Sequence, residues 1–167
     1  MSLWIWHAHE WPQHPWTLWT AALVHLGAAH ALANALALIG LVWLARTWAL
    51  GWPTAAAALA AWPASIAALV FWPAVQSYQG LSGPLHGLAA AMALHHGLRG
   101  GRRPPAGAVV LALGLALKLG LERGWALPLG FDPDWGFNVV YASHLTGAVC
   151  GLLCGLVTAR WLAPPRG

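Results

Sequence analysis

Five apolar runs, at about 17–45, 54–75, 82–98, 105–123 and 138–162, take up most of this sequence. A transmembrane helix needs about 20 mainly apolar residues, and each run is near that length. Lipid offers no partner to an unpaired backbone group, so helices are the economical way to cross it. The ten-residue alternation of a membrane barrel is absent. Only 7% of the residues are charged and 59% are hydrophobic, against roughly 25% charged in an average soluble domain. A soluble fold of 167 residues could not hide so much apolar surface. The expectation is an all-α polytopic membrane protein, a helical bundle of about five transmembrane helices. No polar linker divides it, so residues 1–167 read as one membrane domain, with 1–16 as an outer N-terminal segment.

Charge sets the expected orientation. Arg46 falls between the first two runs, Arg99, Arg102 and Arg103 between the third and fourth, and Arg160 and Arg166 at the C-terminus. Five spans put these three regions on one side, so six of the eight basic residues share it. The four acids, Glu10, Glu122, Asp132 and Asp134, lie on the other side with Lys118 and Arg123. This is a positive-inside pattern with a cytoplasmic C-terminus. Tryptophans mark both interfaces, Trp16, Trp19, Trp125 and Trp135 outside and Trp43, Trp48, Trp52 and Trp161 inside. A formal charge of +4 from scattered basic residues does not point to nucleic acid. Cys150 and Cys154 share a helix face as packing thiols. Residues 1–16 do not read as a signal peptide.

Polar side chains inside spans are expensive, and each is a functional candidate. They are His25, His30, Asn34, Ser82, His86, His95, His96, Lys118, Ser143 and His144. Ser82 begins the third span and His144 lies in the first turns of the fifth, both entered from outside. His30 and Asn34 lie about halfway down the first, so the four can share a layer in the outer half of the bilayer. Gly83 and Gly87 on the third span, and Ser143, Gly147, Gly151 and Gly155 on the fifth, form small-residue faces that let helices approach closely. Packing those faces would bring His144 to Ser82. The glycines alone are explained by packing; the serine and histidine beside them shift the balance toward chemistry.

A serine hydroxyl needs an adjacent base to become a nucleophile, and His144 supplies one. No carboxylate is placed at a suitable depth, so a dyad is expected. The oxyanion needs donors. His30 and Asn34, four apart on one helix face, and the backbone N–H groups at the helix start around Ser82 and Gly83 are the candidates. Asn34 as interhelical glue and His30 as a core histidine are the plainer alternatives. Lys118 and Glu122 read as an interfacial ion pair. His95 and His96 read as interfacial, and the segment Gly124–Gly136 as a turn-rich outer cap.

Three motifs in order resemble the rhomboid family of intramembrane serine proteases. Gly80-Leu81-Ser82-Gly83 matches its GxSG, His25-x4-His30-x3-Asn34 the pattern of its second helix, and His144-Leu145-Thr146-Gly147 the HxxG of its last core helix. The resemblance implies a rhomboid-like bundle, with Ser82 as nucleophile and His144 as general base. His30, Asn34 and the Ser82 backbone N–H would form the oxyanion hole, with His25 as a structural histidine. His86, in Gly80-Leu81-Ser82-Gly83-Pro84-Leu85-His86-Gly87, stands where many rhomboids have a tyrosine. This form is similar to the rhombosortases, bacterial proteases thought to process proteins with a C-terminal Gly-Gly sorting tail. His86 would orient His144 or fill space. A bacterial inner membrane, an active site opening outward and a single-pass or tail-anchored substrate are implied, with no cofactor and no metal. The six-helix core has five counterparts here, the first helix lacking one. Residues 1–13 are then either a Trp-rich outer cap or the start of an internally begun chain, and Thr17 replaces the usual arginine. A catalytically silent rhomboid-like binding protein is one alternative, and a haem or metal protein another. Against the latter, His25 and His30 diverge around their helix and no HExxH pair exists. A small transporter is a third, weaker alternative that no internal repeat or charged pathway supports.

Overall fold

A computed structural model describes residues 3–162, and the five long helices expected are present. They are α2 (Ala28–Thr47), α3 (Trp52–Ala67), α4 (Ser82–Arg99), α5 (Ala106–Glu122) and α6 (Tyr141–Thr158). Arg166, part of the basic C-terminus, lies outside the described residues. Among the described residues, three helical stretches are long and apolar enough to cross a membrane, Ala28–Thr47, Trp52–Phe71 and Tyr141–Trp161. The other two are shorter or more polar: α5 has 17 residues, and α4 carries His86, His95, His96 and Arg99.

The first apolar run does not form one helix from residue 17. It breaks into a single turn, α1 (Thr17–Thr20), a 3-10 turn over Ala21–Leu23, an extended link, and then α2. The Ala21 carbonyl accepts the Gly80 N–H at 2.9 Å, and Gly27 before α2 is extended. A tertiary hydrogen bond and a glycine with no helix preference interrupt the hydrophobic run.

The centre of the bundle is α4, buried at Gly83–Leu85, Gly87 and Ala89–Ala93. The glycine faces meet as expected. A Cβ on Gly147 would strike the Gly83 carbonyl, and one on Gly151 the Gly87 carbonyl, so α4 and α6 pack backbone to backbone. Toward the Arg99 end the seam is closed by His95, which is wholly buried rather than interfacial. Its Nε2–H donates to the Gly155 carbonyl at 2.8 Å, and its Nδ1 accepts from the Thr54 hydroxyl at 2.8 Å. One imidazole thus links α3, α4 and α6 with both ring nitrogens satisfied.

By contrast α2 touches the bundle little: of its residues only Asn34 is buried. It is fastened at its C-terminal end. Arg99 Nη1 donates to the Ala49 carbonyl at 2.8 Å and the Trp48 carbonyl at 3.3 Å, and the Trp48 and His96 rings stack at 4.1 Å. Leu32, Leu36 and Ile39 on α2, Leu113, Leu117 and Leu121 on α5, and Leu153, Leu156 and Val157 on α6 are exposed, as lipid-facing residues would be.

Two small sheets cover the Ser82 end. β1 (Trp6–His7) pairs antiparallel with β2 (Ser77–Tyr78), with Trp6 opposite Tyr78. Trp6 is fully buried with Ala21, Ala22, Ile66, Leu69, Val75, Tyr78 and Ala142. The described N-terminal residues thus pack over this end of the bundle. Thr17, standing for an arginine, is buried with its hydroxyl on the His14 carbonyl at 2.7 Å. The segment after α5 is more regular than a turn-rich cap: β3 (Gly130–Asp132) and β4 (Phe137–Val139) form a hairpin, closed by Gly136 at φ 72°.

Candidate active site

At the capped end, the starts of α4 and α6 and the end of α5 meet. Ser82 is the first residue of α4, so its own N–H has no partner within the helix. The approach to it is shaped by Gly80, whose φ of 120° is unfavourable for any residue with a Cβ. A Cβ there would also come within 2.9 Å of His30 Cε1. Tyr78 braces the turn: its hydroxyl donates to the Gly80 carbonyl at 2.6 Å and accepts the Gly83 N–H at 3.1 Å. Burial pushes the Tyr78 phenol up from its ordinary pKa, so it keeps its proton and its bond to Gly80.

Ser82 and His144 do meet: Ser82 Oγ lies 3.0 Å from His144 Nε2. On the far side of the ring, His144 Nδ1 lies 2.8 Å from Glu122 Oε2. A carboxylate can only accept, so Nδ1 carries the proton and Nε2 accepts from the serine hydroxyl. Glu122 Oε1 in turn takes a hydrogen bond from Lys118 Nζ at 2.7 Å. The expectation that no carboxylate reaches the pair is therefore corrected. Ser82 and His144 themselves sit in first turns, level with the last turn of α5. Glu122 ends that helix where Arg123, at φ 50°, turns the chain away.

His86 lies flat on His144, the ring centroids 4.2 Å apart and the planes 9° from parallel. Its Nδ1–H donates to the Ser82 carbonyl one turn back at 2.7 Å. The Tyr141 ring meets the imidazole of His144 edge-on at 6.2 Å. Ligand atoms of His86, Glu122 and His144 lie within 4.8 Å of one another. The parallel rings, however, hold their lone pairs in two separate planes, a poor fit to one ion.

Of the proposed donors, His30 and Asn34 line the same cavity as Ser82 and His144. Asn34 is buried, one Nδ2 hydrogen given to the His30 carbonyl at 3.1 Å. The His30 ring lies beneath the hairpin, 5.2 Å from Phe137 and 5.9 Å from Trp135. Its Nδ1 is buried with no partner among the described residues. His25 packs edge-on against His30 at 5.1 Å, outside α2. The Gly83 N–H, expected beside Ser82 as a donor, is instead directed to Tyr78. Gly147 holds α6 against α4, one turn below His144.

The cavity, about 1010 Å³, runs from these residues down between α2 and α5 along Ala37, Gly40, Leu44, Val110 and Gly114. Among the described residues, nothing beyond the glycine's own stretch of helix lies within 4 Å of where a Cβ on Gly40 or Gly114 would be. The serine and histidine stand at one end of this cavity, whose walls along α2 and α5 are mainly apolar.

A membrane helical bundle with a serine and a histidine joined across its central helices defines the class. The chain matches the Rhomboid domain over residues 12–161, nearly its whole length, and belongs to that family. No curated protein and no solved structure is similar enough to count as a match.

Proposed function

We propose that this chain is an intramembrane serine endopeptidase, and that Ser82 and His144 carry the reaction. The observation that supports this most directly is the 3.0 Å contact from Ser82 Oγ to His144 Nε2 at the head of the groove. In the proposed reaction, Ser82 Oγ attacks the substrate carbonyl carbon while His144 Nε2 takes the hydroxyl proton. The oxyanion collects hydrogen bonds from the Ser82 N–H, Asn34 Nδ2 and His30. His144 then gives its Nε2 proton to the leaving amine, and a water, deprotonated by the same nitrogen, releases the acyl group. None of these steps calls for a cofactor.

Family members act within the bilayer on membrane proteins, and the groove between α2 and α5 suits a helical segment of such a substrate. A single-pass or tail-anchored protein is the proposed partner. The narrower reading, a rhombosortase acting on C-terminal Gly-Gly tails, rests on His86 within Gly80–Gly87 and on its stack with His144. The proposed setting is a bacterial inner membrane, the site opening to the outer face and the C-terminus cytoplasmic, as the arginine distribution suggests.

A serine-directed fluorophosphonate tests the reading. Wild type is expected to label, while Ser82→Ala does not and His144→Ala falls by about 100-fold or more. Equal labelling of all three would overturn it. Co-expression with a Gly-Gly-tailed membrane protein tests the narrower assignment, cleavage being lost in Ser82→Ala.

A further inference from the structure

We propose that Glu122, held by Lys118, is a positioning residue that fixes the proton of His144 on Nδ1, so that the site works as a Ser82–His144–Glu122 triad. This rests on the reading of Ser82 and His144 as nucleophile and base.

Three contacts run in series. Lys118 Nζ donates to Glu122 Oε1 at 2.7 Å, His144 Nδ1–H donates to Glu122 Oε2 at 2.8 Å, and Ser82 Oγ–H donates to His144 Nε2 at 3.0 Å. The two carboxylate oxygens have different partners, so the group cannot turn without losing one. Glu122 is largely shielded, its side chain 13% exposed against 50% for Lys118. The imidazole is also fixed in its plane by His86 on one face. When Nε2 takes the Ser82 proton, the imidazolium keeps Nδ1–H on a carboxylate that stays ionised, and no further proton moves. Without the carboxylate, neutral His144 can carry its proton on Nε2 instead, and that tautomer cannot accept from serine.

Lys118 makes the inference specific. In Glu122→Gln the ammonium, a pure donor, claims the amide oxygen and turns the NH2 toward His144. That forces Nδ1 to accept and puts the proton on Nε2. Glu122→Gln should therefore slow labelling of Ser82 by a fluorophosphonate, in which Oγ displaces fluoride from phosphorus, by about 100-fold or more. Removing Lys118 as well frees the amide to offer its oxygen, so the Lys118→Met/Glu122→Gln double variant should label at least about threefold faster than Glu122→Gln alone. A merely structural carboxylate predicts the reverse order, since the double variant loses more contacts.

A second measurement needs no variant: 15N spectra of histidine-labelled wild type should show the His144 proton on Nδ1. A proton on Nε2 would overturn the proposal, as would Glu122→Gln labelling within threefold of wild type while Ser82→Ala stays silent. If Ser82→Ala labels as wild type does, the protease reading itself fails.

Discussion

Tyr78 and Glu122 are the two residues at the site that spacing along the sequence did not expose. Tyr78 lies four residues before Ser82, and its hydroxyl serves the two peptide groups that set the shape of the turn. Its position in a short loop offers no periodicity by which to find it. Glu122 was visible as a charge paired with Lys118, but counting depth by residue assigned it to the interface. The first turn of α6 and the last turn of α5 share that level, which a depth count cannot rank. Ser82, His144, His30 and Asn34 were legible because polar groups in apolar spans are few. Tyr78→Phe should leave the Gly80 carbonyl and Gly83 N–H buried without partners, at a cost of about 2–4 kcal/mol. A thermal melt in detergent should show the loss, and fluorophosphonate labelling should fall with it. Gly80→Ala should depress labelling too, since its Cβ presses on His30 and its φ of 120° disfavours a side chain.

Among the elements, α4 and α6 form the rigid part. Their glycine faces were readable from the four-residue spacing alone, and the carbonyl-to-glycine approach explains why no larger residue fits. Gly151→Leu, remote from the chemistry, should destabilise the protein by about 2 kcal/mol or more through forced separation of the helices. His95 was misplaced by sequence because its neighbours His96 and Arg99 suggest an interface. What the sequence could not show is that Thr54 on α3 and Gly155 on α6 come to it from either side. His95→Leu takes the Thr54 hydroxyl's partner and one of the donors to the Gly155 carbonyl, and should cost about 1–3 kcal/mol, read as a lower midpoint of unfolding with the Ser82 labelling rate nearly unchanged at low temperature. The break between α1 and α2 was illegible for a similar reason: the Gly80 N–H that takes the Ala21 carbonyl lies 59 positions further along.

Over the whole molecule, five helices and their class follow from apolar length, while the cap at the Ser82 end depends on pairing that only the fold reveals. Trp6, one of 13 tryptophans, has no mark in the sequence that separates it from those at the interfaces. Yet it is the one buried completely, behind the strand that leads to Ser82. Trp6→Ala should cost about 3–5 kcal/mol and release β1, seen as faster hydrogen exchange at Ser77 and Tyr78. The fastening of α2 chiefly at its C-terminal end, by Arg99 and His96, has a mechanical consequence. Tied at its C-terminal end and held elsewhere by little more than Asn34 and the His30 ring, α2 is a lever, whereas α4 and α6 are a clamp. Breathing of the molecule would then widen the mouth between α2 and α5 without stretching the distance from Ser82 to His144. Reactivity toward a small probe and access for a bulky helix become separable properties. Loosening the Arg99 tie should change the second more than the first, since His30 and Asn34 lie toward the opposite end of α2.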